Sequence, residues 1–153
     1  MYTKQEASKI RQEFWTTFGR YMSPVSSADG EKVNWINYKT GEPNISFKMD
    51  ADNKSAMVGI VFSHSNDGVR ELYYEQLQQL AKMLPGHDEW QWIFSAVQRD
   101  VYDKIYAGAY RRLEGVNVYN REDWPALISF FKSGIIALDE FWAMAKYAFE
   151  ALR

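Results

Sequence analysis

The chain has 153 residues, 46% hydrophobic and 16% aromatic, so it is long and apolar enough to bury one core without disulfides or metals. Its 18 basic and 20 acidic side chains give a formal charge of −2 with no long run of either sign, which excludes a strong overall field for nucleic acid or anionic membranes. The absence of cysteine excludes disulfides, thiolate metal sites and thiol nucleophiles.

The first segment predicts an amphipathic helix over about residues 4–22. Thr3 and Glu6 have the spacing of a capping box. Apolar residues then recur at helical intervals at Ile10, Phe14, Phe18 and Tyr21. The segment lacks the apolar stretch of a secretory signal, and no run in the chain approaches the roughly 18 apolar residues of a membrane span. We therefore expect a cytoplasmic protein that does not contact membranes.

Three strands are predicted between this helix and the next. Residues 33–38 carry Trp35 and Tyr38, which suit a pleated surface. Residues 45–50 alternate apolar and polar side chains, which is typical of a half-buried strand, and residues 57–62 form its apolar partner.

The stretch MDADNKS, over residues 49–55, lies between the last two of these strands and has three possible interpretations. A calcium loop needs alternating oxygen ligands, a glycine and a final glutamate, but Lys54 occupies the third ligand position. Residues 52–54 also have the Asp-x-Lys form of a magnesium-dependent nuclease site, but no second acid is fixed opposite them. Because aspartate and asparagine are favoured in turns, we predict an exposed hairpin connection over residues 50–55 that binds no metal.

The remaining elements are two further helices with two strands between them. Residues 66–68 open a helix that carries one apolar stripe, formed by Val69, Leu72, Leu77, Leu80 and Leu84. Residues 89–94 and 103–111 predict strands, while residues 95–102 stay ambiguous. From Asp123, apolar side chains at helical spacing continue for about 30 residues, and Ser133-Gly134 could kink or divide this last helix.

Strands grouped together with helices at both ends predict an α+β fold over residues 1–153 as a single domain. We expect an antiparallel sheet of about four to five strands flanked by helices, in the order αβββαββα, with a long C-terminal helix. Eight side chains on the apolar faces are expected to share one core: Phe14, Phe18, Phe47, Ile60, Leu77, Leu80, Phe131 and Leu138.

Several stretches carry a family resemblance. The pieces RQEFW, ELYYEQLQQLAKML, EWQWI and NREDWPALISFF, spread over nearly the whole chain, resemble the bacterial family called domain of unknown function 4268. Members of that family occur alone or joined to segments similar to restriction-type nuclease domains. The resemblance therefore implies a role beside DNA or defence functions, with no established activity and no functional residue.

Candidate binding residues come from aromatic and basic side chains. Trp35 and Trp90 stand near strand ends with polar neighbours, so either is a candidate for the border of a groove that binds a partner. Arg111 and Arg112, beside Tyr110 and Tyr106, have the composition of a patch that binds single strands. The alternative is that the tyrosines pack while the arginines stay in water. Three other tryptophans are expected in the core: Trp92, Trp124 and Trp142.

The familiar catalytic motifs are missing. The sequence has no phosphate-binding glycine loop, no nucleophile elbow and no HExxH, and His64 and His87 are expected at element ends in surface or capping roles. We predict no catalytic residue, metal or cofactor. The favoured hypothesis is a non-catalytic interaction or accessory domain with an unknown protein partner, and the oligomeric state is left open. The alternatives are a nucleic-acid-associated module linked to restriction or phage-defence systems, and an enzyme with an unfamiliar site.

Overall fold

A computed structural model describes residues 2–94 and 107–153. Within them the order of elements is αββαββα, with short 3-10 turns at Ala81–Met83, His87–Glu89 and Arg121–Asp123. The helices are α1 (Lys4–Met22), α2 (Asp67–Gln79) and α3 (Trp124–Glu150), and the strands are β1 (Ile45–Ala51), β2 (Ser55–Phe62), β3 (Gln91–Phe94) and β4 (Ala107–Glu114). The predicted α+β class and the long C-terminal helix are confirmed.

The four strands form one antiparallel sheet in the order β1-β2-β4-β3. Ile60 of β2 lies opposite Phe47 on one side and Ala109 on the other, and Ala109 lies opposite Trp92. Because paired residues share a face of the sheet, these four side chains point to the same side.

All three helices cover that same side of the sheet. Gly134 of α3 approaches Val58 of β2, and Phe14 of α1 packs against Phe131 of α3. On α2, Tyr73 packs against Phe62, which shares the face of Ile60. The second face, defined by Lys48, Met57, Val61, Tyr110 and Arg112, points away from these helices.

The eight side chains predicted to share a core do so. Six are fully buried, and Phe47 and Leu80 are partly buried against the same cluster. Three other residues that were assigned to apolar stripes are exposed, so those assignments are wrong: Tyr21, Val69 and Leu72. Besides the predicted Leu77, the buried positions on α2 are Arg70 and Tyr73. The face of α2 that packs against the core therefore contains an arginine.

The predicted strand over residues 33–38 is wrong, because residues 23–44, here called the 23–44 segment, form no helix or strand. Its polar groups bond to α3 instead of to a neighbouring strand. The Asp139 carboxylate accepts hydrogen bonds from Ala28 N–H at 2.7 Å and from the Tyr38 hydroxyl at 2.6 Å. The Trp142 indole N–H donates to the Thr40 carbonyl at 2.9 Å. The segment is therefore held by long-range contacts with α3.

The predicted hairpin is confirmed, with a shorter connection. β1 continues through Asp50 and Ala51, and β2 starts at Ser55, so the exposed turn consists of residues 52–54. The Asp52 carboxylate accepts hydrogen bonds from Lys54 N–H and Ser55 N–H, both at 2.8 Å. Burial raises the pKa of Asp52, but these two backbone donors, together with the charges of Arg112 and Lys54, outweigh it and lower that pKa below the usual value.

The later elements agree with the predictions in part. β3 begins at Gln91 because the preceding residues form a 3-10 turn, and α3 runs undivided past Gly134. Of the strand predicted over residues 103–111, residues 103–106 lie outside the described residues, as do the ambiguous residues 95–102. None of the described helices combines the length and the apolar character that a membrane crossing needs.

Candidate functional site

The five residues predicted to bind a partner lie in three separate places. Trp35 is buried in the 23–44 segment. Trp90 and Arg111 lie together on the helix side of the sheet, with the guanidinium carbon 5.6 Å from the centre of the indole ring. Tyr110 and Arg112 lie together on the second face. Sequence neighbours 110–112 are thus divided between the two faces, as the alternation of a strand requires.

Trp35 has an enclosed environment. Its indole N–H donates to the Val25 carbonyl at 2.9 Å, and its ring is tilted against Tyr38 with the ring centres 6.0 Å apart. One edge lines a hollow of about 360 Å³ together with Lys32 and Asn34. The buried indole holds its own segment together, and a binding role for Trp35 stays a prediction.

Arg111 links three elements on the helix side. Its guanidinium donates to the Ser133 hydroxyl of α3 at 3.3 Å and pairs with the Glu89 carboxylate at 3.2 Å. The same group lies over the buried Trp90 ring, whose N–H donates to the Pro85 carbonyl at 3.2 Å. Gly86, at φ 67°, supplies the left-handed turn that brings Glu89 back toward the sheet. The Arg111 side chain is therefore held in place by groups of the chain itself.

A groove of about 560 Å³ opens beside Arg111, between the end of α1, the loop after α2 and the first half of α3. We call it the Arg111 groove, defined by Tyr21, Glu89, Arg111, Lys132, Ile136 and Glu140. Tyr21 is exposed, and the Lys132 ammonium lies 5.2 Å from the centre of its ring. Apolar side chains lie beside charges of both signs, which is the composition of a protein-binding surface with an apolar centre and a polar rim.

The second face carries the other predicted pair. The Arg112 guanidinium carbon lies 5.9 Å from the centre of the Tyr110 ring, and the Tyr110 hydroxyl donates to the Gln91 side chain at 3.0 Å. Gly59 lies between Lys48 and Tyr110 in the same cross-strand row, and a Cβ there would collide with the Ala109 carbonyl oxygen at 2.6 Å and with the Tyr110 Cβ at 2.8 Å. Tyr106, predicted as part of this patch, lies outside the described residues.

The sequence patterns did not predict two buried acidic groups. Asp139 holds the 23–44 segment, and burial together with its hydrogen bond raises the pKa of Tyr38 well above the usual value. Glu42 is buried and pairs with Arg153 at the end of the chain. An acid inside an otherwise apolar helical seam was a usable signal for Asp139, and Glu42 offered none.

His64 and Arg70 form a buried basic cluster between β2 and α2. The prediction that His64 has a surface or capping role is therefore wrong. Arg70 is fully buried and donates to the His64 carbonyl at 2.9 Å and to the Asp67 carboxylate at 2.8 Å. The buried His64 ring lies 4.1 Å from the Tyr73 ring, centre to centre. Burial, and secondarily the charge of Arg70, lower the pKa of His64.

The described part of the chain offers few ligands for cations. No group of three or more histidine, aspartate or glutamate side chains in residues 2–94 and 107–153 is placed to hold a metal ion. The Asp52 carboxylate, which the Asp-x-Lys pattern raised as a candidate, is engaged by backbone N–H groups of its own turn.

Comparison with known families identifies most of the chain. A family model described as "Domain of unknown function (DUF4268)" matches residues 10–146, which confirms the resemblance drawn from the sequence. No curated protein and no solved structure matches.

Proposed function

The chain belongs to the DUF4268 family, and we propose that it is a non-catalytic interaction domain that binds a protein partner at the Arg111 groove. The observation that carries the proposal is the groove's composition, in which an exposed tyrosine and a pre-positioned arginine stand beside Ile136. Tyrosine and arginine are among the side chains that most often dominate binding energy at protein interfaces, and an arginine already held in place loses less entropy on binding.

The buried charged side chains are engaged in contacts within the fold, which supports the same proposal. Asp139 and Glu42 hold the 23–44 segment against α3 and Arg153, and Arg70 joins the start of α2 to the end of β2. Each of these groups makes contacts that stabilise the fold, as buried charges must when they are not neutralised. The surface groups around the groove, unlike these buried charges, are exposed or partly exposed and are available to contact another molecule.

The test compares two exposed tyrosines. Tyr21 is 48% exposed inside the groove, and Tyr147 is 65% exposed on α3 and is not among the residues that line it. We expect a partner that co-purifies with the wild-type chain to be retained by Tyr147→Ala. Tyr21→Ala should weaken its binding roughly 30-fold, corresponding to about 2 kcal/mol for a central tyrosine. Equal retention by both variants would contradict the proposal, as would the lack of any specific partner. Thermal unfolding checks that both variants stay folded.

A second candidate is a nucleic-acid-associated module linked to restriction or phage-defence systems. The observation that favours it is the stacked Arg112 and Tyr110 on the second face, because aromatic rings and basic groups together bind single strands. We expect salt-sensitive binding of single-stranded oligonucleotides by fluorescence anisotropy and weaker binding by Arg112→Gln. A titration of the wild-type chain without salt-sensitive binding would remove this candidate.

A further inference from the structure

One exposed face of α1 carries a row of polar side chains. Lys9, Gln12, Thr16 and Arg20 follow one another at intervals of three or four residues, so they lie on one side of the helix. At 1.5 Å of rise per residue, the row is about 16 Å long. All four side chains are exposed, while Phe14 and Phe18 bury the opposite side of the helix. We call this row the α1 stripe.

Arg121 joins the α1 stripe from the turn before α3. It lines a hollow of about 440 Å³ together with the four residues of the stripe and with Glu13 and Thr17. Its guanidinium pairs with the Glu13 carboxylate and lies 4.6 Å from the centre of the Trp124 ring. Two contacts therefore fix the guanidinium at the rim of the hollow, which lowers the entropy that it would lose on binding a ligand.

The charge of this hollow is unbalanced. Three cationic side chains and a single carboxylate line it, in a chain whose formal charge is −2. Among the described residues, Lys9 and Arg20 make no ion pair, and the Gln12 and Thr16 side chains make no hydrogen bond. A row of available donors with excess positive charge matches a chain of anions.

We propose that the α1 stripe binds the phosphates of single-stranded nucleic acid. A stacked strand carries a phosphate about every 3.4 Å, so the stripe spans four or five of them. The donors form one line along the helix, which matches a single sugar–phosphate backbone. The stripe has no apolar side chain to insert into lipid, which an interfacial helix requires. No aromatic ring among the four residues of the stripe is available to stack on a base, so we assign their contacts to the phosphates, which carry no sequence information.

This inference rests on the nucleic-acid candidate and is independent of the Arg111 groove. It assigns the electrostatic part of binding to α1, on the helix side of the molecule, whereas the stacking pair Tyr110 and Arg112 lies on the second face. The two sites can therefore be separated by substitution.

The experiment is a fluorescence anisotropy titration of the full chain with a labelled oligothymidine of about 16 nucleotides, at about 50 mM and about 200 mM salt. Three phosphate contacts give a slope near 2 in log affinity against log salt, so the wild-type affinity should fall about 15-fold. The double variant Lys9→Gln, Arg20→Gln should bind at least tenfold more weakly at the lower salt, with a slope near about 0.7. Lys39→Gln, Lys82→Gln changes the net charge equally at two exposed lysines away from the stripe and should bind like the wild type.

The outcomes separate the possibilities. Equal losses in the two double variants would overturn the inference, and so would equal competition by polyglutamate of matched length or preferential binding to anionic vesicles. A wild-type chain that binds no oligonucleotide would refute both this inference and the nucleic-acid candidate. Loss of binding in Arg112→Gln with none in the α1 stripe variant would overturn the inference and leave that candidate standing. Retention of the protein partner by the stripe variant would leave the Arg111 groove unaffected.

Discussion

The β1–β2 hairpin and the 23–44 segment are adjacent in the chain, but they are stabilised in different ways. In the hairpin turn, the Asp52 carboxylate bonds to N–H groups two and three residues away. In the 23–44 segment, the equivalent acceptor is Asp139, 111 residues from Ala28. Local composition predicts a structure correctly when the groups that hydrogen-bond within it are close together in the sequence. Where the partners lie on a distant helix, composition alone predicts the wrong element.

The largest expected effect comes from removing the anchor of the 23–44 segment. Asp139→Ala leaves the Tyr38 hydroxyl and the Ala28 N–H without their buried acceptor. Two such losses should lower the free energy of unfolding by about 3 kcal/mol, measured by urea denaturation. Hydrogen exchange should become faster in residues 23–44 and stay nearly unchanged in residues 45–62.

The control for this variant is the next residue of the same helix. Glu140→Ala removes an exposed carboxylate and should change stability by no more than about 0.5 kcal/mol. If exchange accelerates equally in the hairpin and the 23–44 segment of Asp139→Ala, the two regions unfold as one unit and the comparison fails.

A smaller effect is expected where α3 crosses the sheet. A Cβ on Gly134 would lie 2.3 Å from a Val58 methyl carbon, so the missing side chain allows the helix to approach β2 closely. Gly134→Ala should therefore destabilise the protein by about 2 kcal/mol in thermal or urea unfolding, despite alanine's better helix propensity. Gly68→Ala is the matched control, because a Cβ there meets only ordinary contact at 3.4 Å and should be neutral or stabilising by up to about 1 kcal/mol.

The double variant Gly134→Ala, Val58→Ala tests the cause. It removes the colliding methyl groups and should destabilise the chain by less than the sum of the two single variants, because the two residues are in contact. Additive losses would show that Gly134 is required for a reason other than its close approach to Val58.

The sequence predicted the fold wherever periodicity and local turn chemistry decide it. The amphipathic α1, the alternating β1 and the apolar seam of α3 follow from spacing alone, and their predicted positions are confirmed. The role of Gly134 was not predictable, because a glycine in a helical seam indicates a kink as readily as a close approach to a strand. Only the contact with Val58 distinguishes these two roles.

Residues of the candidate site were predictable from the sequence, but their arrangement in space was not. The sequence singled out Arg111, but its partners Glu89 and Ser133 come from elements about 20 residues away on either side, and nothing local indicates that they meet. The hollow beside the α1 stripe was likewise not predictable, because Arg121, which completes it, lies more than 100 residues along the chain from the stripe. Surfaces assembled from distant segments require the fold before they can be recognised.

The smallest expected effect lies in the hairpin turn itself. Asp52→Ala removes two backbone hydrogen bonds, but the turn is exposed and water replaces them, so the free energy of unfolding should fall by about 1 kcal/mol at neutral pH. Asn53→Ala, in the same turn, is the control and should be nearly neutral, since no side-chain bond of Asn53 occurs among the described residues.

The pH dependence of this difference identifies its cause. The folded pKa of Asp52 lies below its unfolded value of about 3.9, so the carboxylate's contribution is fully present above that pH and is lost as the pH falls through the folded pKa. The stability difference between the wild-type chain and Asp52→Ala should therefore be constant from neutral pH down to about pH 5 and shrink below about pH 4. Urea denaturation across this range measures it. A difference that persists unchanged in acid would mean that the ionised carboxylate is not what holds the turn, and the contrast between local and distant anchoring would lose its local example.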